Sequence, residues 1–143
     1  MIRLVDDQHL GAILRGDPTA HSDGQVFTTG YWYVRLCQAV VTATSQPDRL
    51  SGPFLDLPEP LRSRAIDALL VLPESIGLLS LRDLGPSIGW LRERHQLNIL
   101  GMEALAAAVH LDAVVQLSAR SPKLEAALEA EGLTVTVARG NEP

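Results

Sequence analysis

The chain has 143 residues, 46% hydrophobic and 20% charged, which is the length and composition of one compact domain with its own core and not of a disordered chain. Seventeen acids against twelve bases leave a net charge of −5, so no general attraction to nucleic acid is expected beyond what a local basic groove supplies. Apolar runs such as 68–72 and 104–109 fall far short of the roughly 18 residues that a membrane span needs, and with Cys37 as its one cysteine the chain forms no internal disulfide.

Residues 2–5, Ile-Arg-Leu-Val, read as a short strand. Asp6 and Asp7 follow it. They interrupt any secretory signal at this point and can cap a helix that carries Leu10, Ile13 and Leu14 on one face. A cytoplasmic setting is expected from this start and from the cysteine count. Gly16-Asp17-Pro18 stops the helix, and the β-branched and aromatic residues at 25–29 form a second strand. From Gly30 the spacing turns helical, with Trp32, Leu36, Ala39, Val40 and Ala43 along one stripe. Four prolines between 45 and 60 mark an ordered loop.

A helix follows from Leu61, with Pro60 near its first turn and Pro73 beyond its end. The apolar run 76–81 predicts a third strand, and 83–96 returns to helical spacing with Gly85-Pro86 near its start. Residues 99–111 are apolar nearly all round, which predicts a helix buried against both a sheet and another helix. A strand over 113–117, a helix opened by Ser121-Pro122, and a strand over 133–137 complete the chain. Five short strands separated by helices predict an α/β fold, a three-layer α/β/α sandwich around a mostly parallel five-stranded sheet. The domain is read over 1–140, with a disordered tail at 141–143.

In such a sheet, ligands bind beyond the carboxyl ends of the strands, where the strand order reverses. Asp6 stands at a strand end. Joined by other acids, it can hold Mg²⁺ or Mn²⁺ and activate water against a phosphodiester; alone, it caps a helix. Other motifs fail on context. Gly85-Pro86-Ser87-Ile88-Gly89 has the spacing of a nucleophile elbow, but no Asp and His follow it in the required order. His9, His21, His95 and His110 lack zinc-ligand spacing with one another or with Cys37, and no glycine-rich phosphate loop is present.

The order of elements, together with Leu4-Val5-Asp6-Asp7, Val26-Phe27-Thr28-Thr29 and Leu100-Gly101-Met102-Glu103-Ala104-Leu105-Ala106-Ala107-Ala108, resembles the PIN-domain superfamily and its VapC-type ribonuclease toxins. The resemblance places metal-binding and catalytic acids at Asp6 and Glu103. It also implies a small antitoxin-like partner, RNA as a ligand, and a homodimer as a further assembly, with the helices around 30–43 and 61–72 as docking surfaces.

The departures from the pattern concern charge. Residues 31–36 hold no acid where the family places a Glu, and Ser118 falls where many members carry an Asp. Arg35, near the missing Glu, is a candidate to pair with Asp6 or Glu103 or to meet an RNA phosphate. Two functions follow as expectations, beside a third, a structural or regulatory subunit with no nucleic-acid role. The first is a domain with an eroded metal site that acts by binding RNA or a protein partner. The second is a Mg²⁺- or Mn²⁺-dependent endoribonuclease that draws a further acid from Asp7, Asp83 or Asp112.

Overall fold

The computed structural model describes residues 1–20, 24–42 and 47–138; the expected tail at 141–143 and Ala43 of the predicted stripe lie outside them. The five strands are β1 (Ile2–Val5), β2 (Gln25–Thr28), β3 (Ile76–Leu78), β4 (Val114–Leu117) and β5 (Val135–Val137). They form one sheet in the order β3-β2-β1-β4-β5, and all four pairings are parallel. The order reverses at β1. Chain growth from β1 runs outward through β2 to β3, and the chain then crosses to the other side of β1 for β4 and β5.

Because successive strand side chains point to opposite faces, β1 feeds two cores. Leu4 packs with α5 (Leu81–Leu91), α6 (Ile99–Leu111) and α7 (Pro122–Ala130). Val5 packs with α1 (Asp7–Leu14), α2 (Gly30–Val41), α3 (Gly52–Leu55) and α4 (Leu61–Leu70). Helices on both faces make the three-layer sandwich expected. They also explain why β1 and β4 are apolar on successive residues, as strands buried on both faces must be. The run from Gly101 to Ala108 in α6 is buried throughout, with α5, α7 and the sheet around it.

Several boundaries differ from the sequence reading, β5 among them, which starts at Val135 and not at 133. The run predicted as a strand over 76–81 ends at Leu78, because Ser80 accepts a hydrogen bond from the Asp83 amide and starts α5 at Leu81. That helix stops at Leu91 and keeps Pro86 inside it, short of the 96 expected. The proline-rich loop contains the single turn α3, which drives Phe54 fully into the second core. Ser121 also differs from its expected role. Its side chain makes no cap bond, and Glu125 reaches back to accept the Ser121 amide at 2.7 Å.

Candidate functional site

Asp6 directly follows β1, and its carboxylate completes three hydrogen bonds. Oδ1 accepts the His9 amide at 2.9 Å and so caps α1, and it also accepts the Ser118 hydroxyl at 2.9 Å. Oδ2 accepts the Ser118 amide at 2.7 Å. Ser118 directly follows β4, so this pair joins the carboxyl ends of the two strands between which the order reverses. Ligands of α/β sheets usually bind beyond such strand ends, and here the Asp6–Ser118 hydrogen bonds span the two ends.

Glu103 comes from α6 and is 0% exposed. Its Oε1 accepts the Tyr31 amide at 2.8 Å and its Oε2 accepts the Gly30 amide at 3.2 Å. These are orphan donors of the first turn of α2, where the helix dipole also favours an anion. Thr29 caps the same helix through the Trp32 amide. A β-carbon on Gly30 would stand 3.1 Å from Glu103 Oε2, so glycine lets the carboxylate approach this closely.

Arg35 does not pair with Asp6 or Glu103. Its Nε lies 3.5 Å from Asp7 Oδ2. The reason is position, since Asp7 opens α1 and α1 packs beside α2. Burial and the neighbouring Asp6 charge raise the Asp7 pKa, with Arg35 pulling against them. Burial lowers the His9 pKa, with Asp6 opposing it. Among the described residues, no hydrogen bond or ion pair joins Asp6 to Glu103, and no three His, Cys, Asp or Glu side chains are arranged to hold a metal ion. Asp83 sits in the first turn of α5 and Asp112 ends α6 in the left-handed conformation, φ 50°.

A cleft of about 700 Å³ is lined by Arg35 and by residues at the starts of α6 and α7, Arg120 and Lys123 among them. The sequence reading did not single out Arg120 or Lys123. The signal was present in Arg120-Ser121-Pro122-Lys123, two cations bracketing a helix start just after a strand.

No family model and no curated protein matches the chain. A solved structure of VapBC-1 from nontypeable Haemophilus influenzae does, with a TM-score of 0.52 over 96% of this chain and 98% of that one, at 11% identity. The fold is PIN-like. On this PIN-like frame the two acids matched by resemblance, Asp6 and Glu103, stand at the carboxyl edge of the sheet, each held by backbone amides. None of the described helices is long and apolar enough to cross a membrane.

Proposed function

We propose that this PIN-like domain acts by binding, not by metal-dependent hydrolysis, and that its main partner is a small antitoxin-like protein in the cytoplasm. The observation that carries this reading is the use of the two acids. Asp6 and Glu103 each have both carboxylate oxygens occupied by N–H or O–H donors of the fold. Three of the roughly four lone-pair sites of Asp6 and two of those of Glu103 are thus taken by the fold, and the Arg35 guanidinium pairs with the adjacent Asp7. Such a donor set does not suit a hard cation that needs several free oxygens. No hydrolytic step is therefore derived for these residues.

The partner is proposed from the helices that resemblance to VapC-type toxins marks as docking surfaces. Val34 and Val41 on α2, and Leu61, Leu70 and Val71 on and beside α4, are all exposed. The two helices are tied to each other by the Tyr33 hydroxyl, which donates to the Leu69 carbonyl at 2.6 Å. Val34 and Val41 lie two turns apart on one face of α2, and exposed apolar side chains so spaced fit an amphipathic segment of a partner better than they fit water. Burying these side chains on a second copy of the chain is the competing assembly.

The test is incubation of the pure protein with mixed RNA and Mn²⁺, beside Asp6→Asn and Glu103→Gln. The expected result is intact RNA in all three samples. Cleavage by the parent chain that both folded variants lose would overturn the reading in favour of a metal-dependent endoribonuclease.

A further inference from the structure

We propose that a cavity at the amino ends of β1, β2 and β3 binds a small apolar carboxylic acid, whose carboxylate pairs with the buried Arg3. The site is separate from Asp6 and Glu103, which stand at the carboxyl edge of the sheet.

Strand register builds the floor of the cavity. Arg3 of β1 lies beside Val26 of β2, and Val26 lies beside Ile76 of β3. The three therefore form one row across the sheet, on the face that also carries Val5. Ile13 and Leu14 at the end of α1 and Ala68 of α4 line the same cavity, with Ser75 just before β3. Arg3 is the only charged residue of this lining among the described residues, and Ser75 adds the only other polar side chain.

The cation is only partly satisfied by the fold. Arg3 is 2% exposed, and its one hydrogen bond among the described residues runs from Nη1 to Gln116 Oε1 at 2.8 Å. Nε is buried without a partner. No acid among the described residues forms an ion pair with it. A guanidinium does not give up its proton to escape burial. An uncompensated buried charge is costly, and an anion brought into the cavity offsets that cost.

The free donors and the walls select the ligand together. With Nη1 committed to Gln116, Nε and Nη2 remain as the parallel pair that matches a carboxylate. Apolar walls favour a hydrocarbon chain behind a single negative charge over a strongly hydrated phosphate. The cavity volume of about 340 Å³ stands at the lower end of the roughly 300–1,000 Å³ range of small-molecule sites, which calls for a short chain.

Calorimetric titration of the full chain with hexanoate, hexan-1-ol and acetate tests this. Hexanoate is expected to bind about tenfold more tightly than either, because the alcohol lacks the charge and acetate lacks the chain. In ¹H–¹⁵N spectra the Arg3 Nε–H resonance should move as hexanoate is added, a readout that needs no substitution. Arg3→Met keeps the length of the side chain and removes its charge, so hexanoate should lose its advantage over hexan-1-ol. Ala68→Leu leaves Arg3 in place and narrows the cavity, and it should weaken hexanoate about tenfold, as for steric exclusion from a closely fitting site. No binding, equal affinity for hexanoate and hexan-1-ol, acetate as tight as hexanoate, an unmoved Arg3 resonance, or no effect of Ala68→Leu would overturn the proposal. RNA cleavage in Mn²⁺ would overturn the non-hydrolytic reading alone, since none of these probes touches the strand-end acids.

Discussion

Glu103 shows how one buried carboxylate serves a fold. Its negative charge is carried into the interior only because two amides and the positive end of α2 receive it. Removing it orphans both donors and opens a void. Glu103→Ala is therefore expected to lower unfolding stability by about 3 kcal/mol in urea titration, with Glu103→Gln costing less because one acceptor remains. Asp7 behaves in the opposite sense. Its pKa is raised in the folded chain, by burial and by Asp6, so the unfolded state loses that proton first and the group costs stability as pH rises through the window above its ordinary value. Asp7→Asn should therefore raise the thermal midpoint at pH 7, and the gain should vanish at pH 3, where the parent side chain is neutral as well. His9 adds an acid limit of its own. Burial lowers its pKa, so the unfolded chain takes up the proton first, and this contribution to stability is lost as pH falls from about 6.5.

Among the elements, β3 and α5 make the sharpest demands on individual residues. Gly77 in β3 has no room for a side chain, since a β-carbon there would meet the Phe27 ring at 2.3 Å. The ring cannot move freely because it packs against the first core. Gly77→Ala should cost about 1–3 kcal/mol through overpacking, measured by chemical denaturation. The two tryptophans report on separate helices. Trp90 on α5 is 69% exposed and Trp32 on α2 is 4% exposed. Iodide should quench the Trp90 share of the fluorescence and spare the Trp32 share, and Trp90→Phe should remove nearly all the quenching. A partner bound to α2 and α4 should leave that quenching unchanged, whereas an assembly that covers α5 should suppress it.

At the scale of the whole molecule, both cores lean on the same central strand, Leu4 on one side and Val5 on the other. Melting followed by circular dichroism and by tryptophan fluorescence should therefore give coincident single transitions across the described fold. Much of this architecture is legible in the residues alone. Alternation and apolar runs mark the strands, and spacings of three and four mark the helices, because those periods follow from backbone geometry. The α6 segment is a good instance, since apolar character all round already implies neighbours on every side. The run 76–81 is the counterexample. Apolar content cannot tell where a strand stops, and the Ser80 cap that ends β3 and begins α5 is a hydrogen bond made only in the folded chain. The same division holds at the site. Sequence by itself determined that acids stand at 6 and 103 and that residues 31–36, Arg35 among them, hold none. Only tertiary structure decided what those groups touch: Asp6 clasps Ser118, Glu103 caps α2 and Arg35 turns to Asp7. The physical reason is that a carboxylate looks the same in sequence whether its lone pairs face a cation or an amide, and the choice rests with donors contributed by strands and helices far apart in the chain.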